Sequence, residues 1–337
     1  MRSTDAAVII LNFNGSRDTL ACLESLSEGS GLRHEIIVVD NGSKDSSVPR
    51  LQSWAMKKNI PILSSGYPAD RGYASETSLP RSVWPKLSMI QTGANLGFAE
   101  GNNIGIKYAL KRDVEYIMLL NNDTVVPPGV VSHLVQTAKQ ENAGIVGACI
   151  CYFDEPERVW FTGGEFRWWN DRMIQSVSVR LKSSDSIIET DWVTGCCMLV
   201  HRRVFDEIGL LDENAFLYGE DVDFCLRAAQ AGIRRVVTLR ATIYHKVSRS
   251  SGADTPFTWY HYTRSRLYFH RKHHSKFSHL LFLIAFLPTR FGRSLGWMLY
   301  GRLDLIRATW LAVLDAYRVP SELMQRFRPA AETEGRL

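Results

Sequence analysis

The chain has 337 residues, 45% of them apolar and 22% charged, which suits one large α/β domain with an appendage or two ordinary domains. This composition excludes disordered, fibrous and collagen-like classes. The net charge of +5 hides an asymmetry: from Arg234 onward 18 Lys and Arg face 6 Asp and Glu, while the preceding residues carry 22 against 29. A mildly acidic body thus bears a basic final third suited to an anionic surface.

Met1 to Asp5 lead straight into Val8-Ile9-Ile10-Leu11, too short an apolar run for a secretory leader. No segment reaches the ~18 apolar residues of a membrane span. The six cysteines form no CxxC pair and no zinc-spaced array. Buried, reduced thiols in a cytoplasmic protein are the expectation.

Val8 to Phe13, Glu35 to Asp40 and Tyr116 to Asn121 read as strands buried on both faces. Between the first two, Thr19, Leu20, Leu23 and Leu26 recur at helical spacing. This βαβ rhythm predicts an α/β fold with a mostly parallel sheet and helices on both faces, and ligands in such sheets collect at the carboxyl ends of strands. Residues 60–90, with four prolines among Ser and Gly, predict a long excursion, and the aromatic 157–180 stretch a hairpin or flap. Gly144 to Tyr152 and Trp192 to Val200 are further strands. A helix is expected over Gly219 to Gly232, with Val222, Cys225, Leu226 and Ala229 on one face and Gly232 as its C-cap. Leu280 to Pro288 is an apolar run ending at a proline, followed by Arg290 and Arg293.

Several residues at these ends carry chemistry. Asp40, followed by Asn41-Gly42-Ser43, can accept hydrogen bonds from a ribose or base edge, with Gly42 admitting close backbone approach; an ordinary Asn-Gly turn reads the same way. Asn95-Leu96-Gly97, leading to Asn102, joins a turn to a helix start whose amides can face a phosphate or a nucleobase. In Asn121-Asn122-Asp123 one carboxylate closes a strand. Mg²⁺ or Mn²⁺ on such an oxygen neutralises a departing diphosphate, and Asn122 can order a metal-bound water or the ribose. Glu220-Asp221 opens a helix whose dipole favours the ionised carboxylate a general base requires. Helix capping explains acids there equally well. His245 follows a strand and can add an imidazole nitrogen to a metal site, although a lone histidine is commonly structural.

The ordered set VIILNFNG, EIIVVDNGSKDSS, NLGFAEGNNIGIKYAL, YIMLLNNDTVVPP, DWVTGCCMLVHRRVFDEIGLLDE, FLYGEDVDFCLRAAQAG and ATIYHKVSRSSG resembles the inverting family 2 glycosyltransferases, in particular their bacterial rhamnosyltransferase-like branch, over residues 6–275. The resemblance implies a GT-A fold, with a catalytic domain over 1–255. Its nucleotide-sugar half would span 1–125 with an insertion near 60–90, and its acceptor half 126–255. A basic amphipathic helical region would fill 256–337. It further implies that Asn12, Asp40, Gly42, Asn95, Gly97, Asn102, Asn122 and Asp123 meet the donor nucleotide. Asp123 would be the metal carboxylate of the D-x-D element, His245 a further metal or diphosphate ligand, and Asp221 the base. Glu220 would shape the acceptor site beside it, and Gly195 would lie in a loop near donor or acceptor. The donor implied is dTDP-rhamnose, with UDP-sugars behind it. The acceptor would be a saccharide or lipid-linked saccharide, reached through peripheral contact with the anionic inner face of the cell membrane, and no nucleic acid is involved. Two departures stand out: the D-x-D position holds one acid fewer, and residues 60–90 add about twenty-five positions.

Three other classes fit less well. A nicotinamide dehydrogenase needs G-x-G-x-x-G after its first strand, where this chain has Asn12-Phe13-Asn14-Gly15. A sugar-phosphate nucleotidylyltransferase needs a glycine-rich basic loop there, of which Asn12 to Arg17 is a poor version. A non-catalytic carbohydrate- or nucleic-acid-binding module has no use for Asp123, Asp221 and His245 together.

Overall fold

The computed structural model describes residues 4–27, 34–66, 87–112, 114–167, 172–175, 187–247 and 254–317. Most of the expected insertion, and the last twenty residues, lie outside them. In chain order, β1 (Thr4–Asn12), α1 (Ser16–Ser27), β2 (His34–Asp40), α2 (Ser47–Lys57), β3 (Ile62–Gly66), β4 (Leu87–Gln91), α3 (Gly97–Leu110) and β5 (Val114–Asn121) alternate strand and helix. Then come β6 (Thr124–Val125), α4 (Val130–Gln140), β7 (Ile145–Tyr152), β8 (Val159–Phe161), the β9–β10 hairpin (Gly164–Arg167, Arg172–Gln175), β11 (Ile187–Glu189), β12 (Cys197–His201), α5 (Arg202–Ile208), α6 (Glu220–Gln230) and β13 (Arg235–His245). Three helices follow: α7 (Pro256–His273), α8 (Lys276–Leu299) and α9 (Leu303–Asp315).

One sheet runs β11-β13-β7-β12-β5-β1-β2-β4-β3. Strands β3, β4, β2, β1 and β5 are all parallel, and β12 runs antiparallel between β5 and β7. Every residue of β2 is buried, which explains its unbroken apolar run: both faces of a parallel strand are covered. In α1 the buried positions Ser16, Thr19, Cys22, Leu23 and Leu26 form the inward stripe, while Leu20 is only half-buried. The chain leaves β1 toward β2 on one side and returns as β5 on the other. Strand order therefore reverses between β1 and β5, opening a crevice at their carboxyl ends. The register sets Asn12 beside Asp40 and Leu11 beside Asn121 at that edge.

One expectation changes. Trp192 to Val200 is not one strand. Only Cys197–His201 is, and residues 194–197 turn, because β5 ends at Asn121 and offers no further ladder partner. The apolar run that ends at Pro288 belongs to a longer helix, since Pro288 lies inside α8. Burial of Phe286 on one side and Ser294 on the other holds both halves of the helix in place despite the lost N–H. All six cysteines are free and buried.

The protein divides into two compact units. The first holds Met1–Trp168, Arg172–Asp212 and Asp221–Val247; the second holds Trp169–Asp171, Glu213–Glu220 and Ser248–Leu337. In the second, the Tyr260 hydroxyl donates to Asp315 Oδ2 at 3.0 Å, with both residues buried. Tyr260 packs on Ala308 and Ala312, and Leu267, Phe286 and Ala316 form a neighbouring cluster. Helix α7 also holds the segment 213–219. Arg264 Nη1 donates to the Asn214 carbonyl at 2.9 Å, Ser265 Oγ to that of Leu217 at 2.8 Å, and the His261 ring stacks on Phe216.

Gly42 has φ +76°, and an added Cβ would stand 2.5 Å from the Ala94 carbonyl carbon. Left-handed strain and backbone overlap act together here. Gly42→Ala should therefore lower stability by ~2 kcal/mol or more, read as a lowered urea midpoint at unchanged slope.

Candidate active site

A chain of buried side-chain hydrogen bonds crosses the crevice. Asn12 Nδ2 donates to Asp40 Oδ1 at 2.8 Å and to Ser43 Oγ at 3.0 Å. Thr19 Oγ1 donates to Asn12 Oδ1 at 2.7 Å and accepts from Asn122 Nδ2 at 3.0 Å. The ends of β1, β2 and β5 are thereby locked together through the first turns of α1. Asp40 Oδ2 accepts from the Ser43 amide, and each carboxylate oxygen keeps capacity for a further donor. Asn41 fastens the next turn. Its Nδ2 donates to Asn95 Oδ1 and the Gly97 carbonyl, and its Oδ1 accepts from the Leu96 amide. Asn95 and Gly97 are thus held against the end of β2, whereas Asn102 directs its amide to the Phe98 carbonyl within α3.

Asp123 follows β5 directly. Strand β6 pairs with the end of β13, His245 opposite Thr124, and the Lys246 amide donates to the Asp123 carbonyl at 3.0 Å. This puts His245 Nε2 3.1 Å from Asp123 Oδ1, with both side chains only 8% exposed. Neither Asp123 Oδ1 nor His245 Nδ1 has a well-formed hydrogen bond among the described residues, so the contact is one of proximity more than direction. Donors that share an octahedral ion at ~2.1 Å stand ~3 Å apart, so this pair fits Mg²⁺ or Mn²⁺. It is a two-donor set: no group of three or more ligating side chains occurs among the described residues. Two protein ligands suffice for an ion that takes its remaining oxygens from water and phosphate. The Trp160 ring meets His245 edge-on at 4.7 Å, and Lys246 Nζ pairs with Asp18 at 2.7 Å.

Asp221 sits in the first turn of α6. Its Oδ2 accepts from the Gly195 amide at 3.1 Å and its Oδ1 from the Val222 amide at 2.8 Å. Burial raises its pKa above the ordinary aspartate value, and the amides of Gly195 and Val222 and the Thr194 hydroxyl oppose that rise. The approach to this helix is strained, since Tyr218 at φ +70° and Gly219 at φ +91° are consecutive left-handed residues. Glu220, the residue before Asp221, is buried. An added Cβ on Gly195 would touch the Phe98 ring at 3.0 Å.

The turn 194–197 relates the two acids. Its Gly195 amide binds Asp221, while its Cys196 carbonyl accepts from the Asn121 amide at 3.0 Å. The buried Cys196 thiol is pushed well up, first by desolvation and then by the charges of both Asp123 and Asp221. The charges of both carboxylates therefore act on one residue. Sequence reasoning missed Thr19, Asn41, Thr194 and Trp160. Each acts through neighbours far away in the chain, and only the polar type of Thr19 on an otherwise apolar helix face hinted at its part.

The family model described as "Glycosyltransferase like family 2" matches residues 85–267, and that of "Glycosyl transferase family 2" matches residues 7–66. The low-salt glycan biosynthesis hexosyltransferase Agl10 of Haloferax volcanii is 26% identical over 239 residues, covering 68% of this chain and 63% of that protein. The N-acetylglucosaminyl-diphospho-decaprenol L-rhamnosyltransferase of Mycobacterium tuberculosis is 26% identical over 196 residues, 51% of this chain and 62% of that protein. The chain thus spans about six tenths of the length of these curated relatives. A solved structure of GalNAc-T7 with UDP, GalNAc and Mn²⁺ aligns with a TM-score of 0.57 at 15% identity, covering 79% of this chain and 50% of that one. The shared fold is GT-A.

Thr19→Val keeps the shape of the side chain but leaves Asn12 Oδ1 and Asn122 Nδ2 without their partner. A loss of ~1–3 kcal/mol in unfolding free energy is expected from urea titration.

Proposed function

The chain belongs to glycosyltransferase family 2, and from that premise we propose that it moves a sugar from a nucleoside-diphosphate donor to a hydroxyl of a growing glycan, with inversion at the anomeric carbon. dTDP-rhamnose is the first choice of donor and a UDP-hexose the second. The acceptor is a saccharide, most naturally one carried on a lipid at the inner face of the cell membrane. The mycobacterial relative named as a rhamnosyltransferase supports the first choice of donor, and the haloarchaeal hexosyltransferase supports the second. One observation carries the reading: a single turn bonds through Gly195 to Asp221 and through Cys196 to the strand end that bears Asp123.

In this reading Asp40, Asn12, Asn95 and Gly97 hold the nucleoside, with Gly42 admitting the backbone approach. Asn122 and Asp123 meet the diphosphate, and Asp123 with His245 would hold Mg²⁺ or Mn²⁺. When bound, that ion neutralises the charge growing on the leaving group. Asp221 accepts the proton of the acceptor hydroxyl as that oxygen attacks the face opposite the nucleotide. The Gly195 and Val222 amides keep Asp221 oriented and stabilise its ionised form. Glu220 borders the acceptor. Positive charge spreads over the sugar ring in the transition state, as in glycoside hydrolysis.

Incubation with a panel of nucleotide sugars tests the class of reaction. Release of nucleoside diphosphate is expected; pyrophosphate would identify a nucleotidylyltransferase instead, and no product a binding module. Asp221→Asn should retain donor binding while transfer falls ~10²-fold or more, and near-normal turnover would remove Asp221 from its role. Because burial raises the Asp221 pKa, the base is lost on acidification sooner than an ordinary aspartate would be. The acid limb of kcat/KM should accordingly lie above ~4, the usual aspartate value. Asp123→Ala should abolish the Mn²⁺ dependence of donor binding in calorimetry, and an unchanged titration would count against the metal pair.

A further inference from the structure

Helix α8 is apolar on two faces. The inner face is already used: Phe282, Leu283, Phe286 and Leu287 pack with Leu267, Val313 and Ala316. The outer face carries Phe277, Leu281, Ile284, Phe291, Leu295 and Leu299, each between 48% and 85% exposed. Their spacing of three, four or seven residues makes a straight stripe. At ~1.5 Å per residue the stripe is ~33 Å long. Pro288, also exposed, fills the one missing place between Ile284 and Phe291. Six large side chains in a continuous exposed row are more than a folded protein leaves to water without a partner.

Charge decides between the partners. Helix α8 contains no acidic residue. Lys276 at its start is exposed, as is Arg271 at the end of α7, while Arg293 lies on the opposite side of the helix over the Trp259 ring. A second copy of α8 laid on this face would offer these cations no acidic partner. An anionic bilayer instead attracts them, and the exposed Tyr300 at the far end suits the headgroup level. No helix among the described residues is long and apolar enough to cross a membrane. We infer that α8 is an in-plane membrane anchor that lays its outer stripe into the headgroup–acyl boundary of an anionic bilayer. The inference shares the membrane with the proposed lipid-linked acceptor, but does not depend on the transfer chemistry.

Flotation of the full chain tests it, using vesicles of phosphatidylglycerol mixed with phosphatidylcholine and vesicles of phosphatidylcholine alone. The parent and Asp221→Asn should float alike with the anionic vesicles and much less with the zwitterionic ones. Ile284→Glu with Leu295→Glu should reduce the floated fraction ~tenfold or more while leaving the melting temperature without vesicles unchanged. Lys276→Glu should weaken only the anionic preference. Three results would overturn the inference. The parent may fail to float with either vesicle. The stripe variant may float as the parent does, or convert a non-floating dimer into a monomer in light scattering, which would assign the face to a second copy. Or the stripe variant may melt lower without vesicles, which would mean that the chain itself covers the face.

Discussion

Backbone hydrogen bonds from residues 194–197 fix two carboxylates that are nearly a hundred positions apart in the chain. The Gly195 amide binds Asp221, and the Cys196 carbonyl binds the Asn121 amide, two residues before Asp123. On the turn's side both bonds are made by main-chain groups, and the only side chain involved is that of Asp221 itself. The relation depends on the direction of β12. Because β12 runs antiparallel to β5, it begins at the edge where β5 ends, Cys197 opposite Leu120. A parallel strand in the same place would begin at the opposite edge, and the turn would lie a full strand length from Asp123. The reversal of β12 between β5 and β7 is what brings the acids together.

In the turn that links those acids the protein keeps a neutral thiol at Cys196. A thiolate at Cys196 would add a third negative charge, and burial with both carboxylates pushes its pKa well up. Cys196 thus serves as a small apolar spacer. The two carboxylates themselves live in different surroundings. Asp221 takes backbone donors at the positive end of α6, which stabilises an ionised form that burial disfavours. Asp123 Oδ1 is left beside His245 without a well-formed hydrogen bond among the described residues. On the proposed reading the first acid exchanges a proton and the second holds a cation.

Much of this was legible in the sequence because buried parallel strands are unbroken apolar runs, and polar residues at their ends stand out. Asp40 and Asp123 stand out in that way at the ends of β2 and β5, and Asp221 by its place at a helix start. What was not legible depends on partners far along the chain. Thr19 looked like one more position on a helix face. Its function lies in joining Asn12, seven residues away, to Asn122, 103 residues away. Asp18 and Lys246 pair across 228 residues. Periodicity also could not say where β12 begins, since that is set by the end of β5. Nor could it say how far α8 runs past Pro288: a local breaker ends a helix only when packing on its far side is weak, and here Ser294 is buried and bonded to Trp310 Nε1.

Charge counting was the least reliable guide, and the structure explains why. The basic final third is not uniformly available to an anionic partner. Arg264 is buried and donates to the Asn214 carbonyl, Arg302 pairs with Asp304, and Arg290 is buried against Phe286 and Trp259. These cations stabilise the second unit and contribute little to its outward field. Arg271, Lys276, Arg293 and Arg307 remain exposed. Two of them, Arg271 and Lys276, stand at the N-terminal end of the long apolar stripe, a more specific feature than the total. Electrostatic attraction falls off within a Debye length, ~8 Å at physiological salt, so it orients the helix only near a surface. Burial of the stripe must then supply most of the holding free energy.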